Sequence, residues 1–233
     1  MNRKKKISSS VVCLMFLWMM LQPVLAAPTY ITEGLMDWQR GDEGSAWQEW
    51  TFEQGIAPAA PDAGDNPYGT AMATIYGYDG SVTFGWKSAI LGREGVWTGD
   101  PVFVELLIPD CPDNNPVKTV WFEMDYRAVT MLNPTIQVGD GFEAEMFYYD
   151  SGLRRDQNGF VIDDWRTMVI GWNIYPNPSQ EIIAFALAGT GGFVDRISVD
   201  TMCRPIPEPS AFLLSGIGVY MASLVKRKKQ FNQ

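Results

Sequence analysis

The chain has 233 residues, with 46% hydrophobic and 19% charged side chains and a formal charge of −9 at pH 7. That is ordinary globular composition for about one domain, and it excludes wholesale disorder and collagen-like repeats. No histidine is present, which removes Ser-His-Asp and Cys-His catalysis and His-ligated zinc. The chain opens with Met1, Asn2, Arg3 and Lys4–Lys6, followed by an unbroken apolar run from Val11 to Leu21 and then Val24-Leu25-Ala26. A basic stretch, a short apolar run and small residues read as a signal peptide over 1–26, with the mature chain starting near Ala27. An apolar helix of that length rises about 16 Å, too short for a bilayer core of about 30 Å.

The body, residues 27–203, reads as strands. Ser81–Lys87 alternates, with Val82, Phe84 and Trp86 on one face. Val102–Ile108 and Glu181–Ala188 are dense enough in apolar residues for buried strands. In Val120–Ala128, the residues Val120, Phe122, Met124, Tyr126 and Ala128 share one face, opposite Trp121, Glu123, Asp125 and Arg127. Met168, Ile170, Trp172 and Ile174 form another inward row, as do Phe193, Ile197 and Val199 beside Arg196, Ser198 and Asp200. Period-two alternation of β-branched and aromatic residues is the signature of half-buried strands. Turn-forming clusters separate them at Pro58–Gly69, Asp110–Pro116, Gly139–Gly141, Asp156–Gly159, Tyr175–Ser179 and Gly189–Gly192. No long capped amphipathic helix and no internal repeat interrupts the pattern. About eight to ten short strands predict an all-β, antiparallel, jelly-roll-like β-sandwich.

Cys111 and Cys203 are the cysteines of the body. In an exported chain two cysteines are most simply one disulfide, which would tie a mid-chain loop to the last strand; two free thiols or a metal pair are the alternatives. Arg3 and Lys4–Lys6 belong to the leader and four more basic residues to the extreme C-terminus, so the body is more acidic than the whole chain. That charge disfavours nucleic acid and favours solubility or cations.

The C-terminal region reads as a Pro-rich linker over 204–210, an apolar segment over 211–225 and a basic tail over 226–233. The linker carries Pro207-Glu208-Pro209, the apolar segment contains Gly216 and Gly218, and the tail begins Lys226-Arg227-Lys228-Lys229. A helix over 211–225 spans about 22 Å, a marginal transmembrane helix whose basic stop stays cytoplasmic. The tripeptide, the short glycine-bearing span and the basic cluster, in that order, resemble a PEP-CTERM sorting signal. The resemblance covers about the last 25 residues and implies signal peptidase and exosortase as processing partners. It also implies transient anchoring in the inner membrane and delivery to the envelope or extracellular matrix, alongside exopolysaccharide. It implies nothing about the chemistry of the body.

Three kinds of chemistry are open to the body. Sugar binding would use exposed aromatic faces with polar neighbours. Trp121, with Glu123, Asp125 and Arg127 of the same parity, is the platform candidate, unless a loop or the N-terminal segment covers it. Trp38, Trp47 and Trp50 read as packing anchors of that segment, and Trp86 and Trp172 as core. Calcium could draw on Asp62, Asp65 and Asn66, or on Asp110, Asp113 and Asn114, although Asp and Asn are also what turns use. A glycosidase needs two carboxylates, and Glu123/Asp125 or Glu143/Glu145 would project from one face at about 6.5–7 Å. No Gly-x-Ser-x-Gly elbow or nucleotide loop is present. The expectation is a non-catalytic structural or adhesive sandwich needing no cofactor, with a carbohydrate-binding module for exopolysaccharide second and a glycoside-active enzyme third.

Overall fold

The computed structural model describes residues 31–78, 83–111, 116–128, 130–155, 161–188 and 191–204. The leader, Pro207-Glu208-Pro209, the apolar tail, Lys226–Lys229, and Asp113 and Asn114 lie outside the described residues. Among the described residues a 3-10 turn, Thr32–Gly34, precedes twelve strands: β1 (Ser45–Trp50), β2 (Ala63–Asp65), β3 (Met72–Tyr76), β4 (Gly85–Ile90), β5 (Arg93–Gly99), β6 (Val102–Pro109), β7 (Val117–Arg127), β8 (Thr130–Gln137), β9 (Glu143–Arg155), β10 (Val161–Tyr175), β11 (Gln180–Ala188) and β12 (Gly192–Arg204). The described residues are all-β, and their strands form two antiparallel sheets in a sandwich-like arrangement.

The larger sheet runs β2-β1-β12-β7-β10-β9, and the β4–β5 hairpin joins it through β5 against β12. The smaller sheet runs β3-β6-β11-β8. β12 is the hub of the larger sheet. One side pairs along its length with β7, while the other pairs first with β5 (Gly192–Val194) and then with β1 (Ile197–Met202). The β4–β5 turn places Leu91 (φ 52°) and Gly92 (φ 77°) in the left-handed region, the two-residue turn whose twist matches a hairpin.

The inward rows expected on β7 and β10 form the core. Val120, Phe122, Met124 and Tyr126 pack with Met168, Ile170, Trp172 and Ile174, against Val102, Val104, Leu106 and Ile108 of β6 and Ile183, Phe185 and Leu187 of β11. Each large side chain so buried stabilises the fold by about 1.5–3 kcal/mol. Trp50 closes the core with its indole N–H donating to the Ala59 carbonyl at 3.1 Å. Trp86 is only partly buried and donates to the Phe52 carbonyl at 2.8 Å.

The expected row on β12 needs one correction. The register shifts between Val194 and Arg196, and such an extra residue reverses the side-chain parity on one side of it. Val194 therefore turns inward with Ile197 and Val199. Phe193 turns to the opposite face, where its ring lies 6.2 Å from that of Trp165 and beneath the Arg127 guanidinium at 5.9 Å.

Candidate functional site

Trp121, Glu123 and Asp125 share the outer face of β7, as their parity requires, but that face is not open. The segment from Ile31 to Arg40 lies across it. Trp38 and Met36 pack with Trp121, Val169 and Met202 into a second, smaller core. Trp121 is 5% exposed, so the sequence-based expectation of an outward indole platform is corrected: its ring belongs to a covered layer.

The carboxylates beside it are buried and paired. Glu123 accepts from the Thr32 backbone N–H at 3.0 Å and hydroxyl at 3.2 Å through one oxygen, and from Arg196 at 2.5 Å through the other. Asp125 accepts from the Thr167 hydroxyl at 2.7 Å and lies 3.6 Å from Arg196 and 3.8 Å from Arg93. Arg93 binds Asp195 at 2.8 Å, and its guanidinium sits 5.1 Å from the centre of the Trp165 ring. Burial pushes the Asp195 carboxyl up to about 6; Asp125 adds to the rise, while Arg93 and Arg196 oppose it. Arg127 is half-exposed and pairs with Asp164 at 2.5 Å. The four candidates therefore do not converge on an open cleft. Glu123 and Asp125, the closest approach to a glycosidase pair, have their oxygens committed to arginine, hydroxyl and backbone donors.

The accessible aromatic surface lies next door, on β9. The pairing of β9 with β10 shifts between Gly171, opposite Tyr148, and Trp172, opposite Met146. Phe147 is the extra residue. Its ring meets Trp121 edge-to-face at 5.2 Å, and Tyr148 does the same at 5.3 Å. Gly171 makes the space: a Cβ there would sit 2.7 Å from the Phe147 ring and 3.1 Å from the Trp121 ring. Phe147 remains 46% exposed, and Met146, Tyr149 and Leu153 are also at the surface. Sequence reasoning took only the Glu143/Glu145 pair from this strand and passed over its aromatic residues. Its signal was present in the apolar and aromatic run Met146–Tyr149 between Glu145 and Asp150.

A second polar cluster lies at one end of the core. Lys118 of β7 is fully buried, and its Nζ lies 2.8 Å from Asp110 Oδ2 and 2.6 Å from Glu181 Oε2. Burial opposes the lysine charge, but Glu181 and Asp110 together raise its pKa above the ordinary value. Burial pushes Glu181 up to about 7; Lys118 opposes this and Asp110 adds to it. Cys111 and Cys203 flank the cluster. The Cys111 backbone N–H donates to Asp110 Oδ1 at 2.6 Å, and the Cys203 thiol donates to the same oxygen at 3.1 Å. The two cysteines share Asn177, whose amide donates to the Cys111 carbonyl at 3.1 Å and to Cys203 Sγ at 3.6 Å. The structure holds them as buried free thiols rather than the expected disulfide, with the Cys203 S–H directed at a carboxylate instead of at a second sulfur.

The calcium candidates separate. Asp62 Oδ2 accepts from the Thr51 and Phe52 backbone N–H groups at 2.7 and 3.0 Å and from the Thr51 hydroxyl at 3.1 Å. Asn66 accepts from the Tyr68 N–H at 3.0 Å, and Asp65 is exposed on β2. Asp110 belongs to the lysine cluster. Among the described residues no group of three or more Cys, Asp or Glu side chains is arranged to hold a metal ion. Comparison with protein-family models, curated proteins and solved structures finds no match to this chain.

Proposed function

We propose that this chain is an exported envelope or extracellular-matrix protein whose jelly-roll-like sandwich has a structural or adhesive role. Signal peptidase would remove the leader, and exosortase would act on a PEP-CTERM-type tail at Pro207-Glu208-Pro209. The observation that carries the adhesive reading is β9. Among the described residues it is the last strand of its sheet, and it has 13 residues. It presents Met146, Phe147, Tyr149 and Leu153 at the surface. A long edge strand with exposed apolar side chains is a template for association.

The experiment replaces Phe147 and Tyr149 with serine and compares retention in the envelope or matrix fraction. Loss of retention with unchanged circular dichroism supports the reading, and unchanged retention overturns it. A carbohydrate-binding role is the second reading, favoured by the exposed Phe147 ring against Trp121. It predicts a shift in tryptophan fluorescence on titration with soluble exopolysaccharide, abolished in Phe147→Ala. No shift across a glycan panel removes it.

A further inference from the structure

The Lys118 cluster goes beyond any sorting or adhesive role. Three buried ionisable side chains meet, and their charges do not cancel: one ammonium faces two carboxylates. Such a group is expensive to bury as ions. It is also arranged for a reaction that would remove two of the charges.

We propose that Lys118 and Asp110 condense into an intramolecular isopeptide bond, with Glu181 carrying the proton. An ammonium nitrogen 2.8 Å from a carboxylate oxygen lies roughly 3–3.5 Å from its carbon, the separation of a near-attack pair. The surroundings supply the other parts. The Cys111 N–H at 2.6 Å and the Cys203 S–H at 3.1 Å both point at Asp110 Oδ1, where negative charge collects when the carbon becomes tetrahedral. Glu181 Oε2 touches the nucleophile at 2.6 Å. Its other oxygen is buried without a hydrogen-bond partner. The Glu181 carboxyl, pushed up to about 7, exchanges protons readily near neutral pH.

The step balances within the protein. One proton passes from Nζ to Asp110 Oδ2, leaving an amine and a carboxylic acid. The amine lone pair attacks Cγ and forms the C–N bond, with the charge held on Oδ1. Glu181 takes a second proton from Nζ and returns it to the Oδ2 hydroxyl. The Cγ–Oδ2 bond breaks, water leaves, and one hydrogen stays on the amide nitrogen. Nothing is oxidised or reduced. Well-aligned intramolecular groups reach effective molarities of about 10⁵–10⁸ M, which offsets the reluctance of free amines and acids to condense. The product joins the end of β6 in the smaller sheet to β7 in the larger one, a covalent clamp between the two layers.

Tryptic peptide mass analysis of the full chain, unfolded and reduced before digestion, tests this independently of how the termini are processed. An acylated Lys118 resists trypsin. The expected product is one peptide, Glu94–Arg127, lighter by one water, in place of separate Glu94–Lys118 and Thr119–Arg127 peptides. Glu181→Gln should restore the two separate peptides while retaining the circular dichroism of the parent. Finding only the two unmodified peptides in the folded parent chain overturns the proposal whatever the variant does. A branched peptide linking Lys118 to Glu181 overturns the choice of Asp110, and full condensation in Glu181→Gln overturns the proton-transfer role.

Discussion

Arg40 grips Asp200 with two parallel hydrogen bonds, Nε to Oδ1 at 2.6 Å and Nη2 to Oδ2 at 2.8 Å. Asp200 is 1% exposed, and Arg40 also lies over the Trp47 ring at 4.3 Å. This fork-to-fork pair joins the segment before β1 to the last strand of the fold and holds the cover over Trp121 in place.

Replacing Arg40 with alanine strands a buried carboxylate. Removing one partner of a buried pair costs about 3–5 kcal/mol. The loss here should fall toward the lower end, because Arg40 is itself partly exposed. Chemical denaturation should show it, and proteolysis within residues 31–44 should accelerate in the folded protein. Parental stability and resistance in Arg40→Ala would mean that the apolar contacts of Trp38 and Met36 hold the cover alone.

Trp121 and Phe147 touch, yet they should respond differently to truncation. Trp121→Ala empties the smaller core and should cost about 3–5 kcal/mol. Phe147→Ala removes a half-exposed ring and should cost about 1 kcal/mol or less, while altering retention or ligand response. Equal losses of stability would place Phe147 in the core instead of at the surface.

The acid groups set the direction of the pH dependence. Asp195 titrates at about 6 in the fold, above the ordinary 3.8, so between those values the native state holds a proton that the unfolded chain has released. Stability contributed this way is fully present below the unfolded value and is lost as pH rises through about 6. Glu181 beside uncondensed Lys118 and Asp110, at about 7 against 4.5, acts in the same direction. Thermal melts should therefore give a higher Tm near pH 5 than near pH 8. Asp195→Asn should flatten the part of that slope below about 6.5. A Tm that climbs steadily from pH 5 to pH 8 contradicts the assignment.

The thiols offer a separate reading of the cluster. Burial, reinforced by Asp110, pushes the Cys203 thiol up, and the thiolate is the reactive form. Native protein should resist alkylation at pH 8 at both Cys111 and Cys203, and unfolding without reductant should expose both to labelling. If neither labels until reductant is added, the protein carries the Cys111–Cys203 bridge that the sequence suggested.

Strict alternation made β7 and β10 legible, because a strand with one face in a shared core must repeat every two residues. The same logic placed Trp121, Glu123 and Asp125 together on the outer side. Parity assigns a side chain to a face but not to water, and no local pattern announces that Ile31–Arg40 folds back over it. The shift at Asp195 was equally silent: one additional residue moved Phe193 out of the row in which alternation had placed it. Arg93 and Arg196 stand far apart in sequence and converge on Asp125 only through the pairing of β5 and β7 with β12. Asp110, Lys118 and Glu181 were invisible as a group for the same reason, since Asp110 reads as a turn residue and Glu181 only as the start of a dense apolar strand.

The position of β12 decides when folding can finish. A chain that emerges N-terminus first makes β1, β5 and β7 early, yet all three wait for a strand that ends at Arg204. Until that strand arrives, the larger layer is three separate pieces with bare flanks, β1 with β2, β4 with β5, and β7 with β10 and β9. Synthesis therefore delivers the keystone after the strands it joins, and until then the larger layer is an incomplete arch.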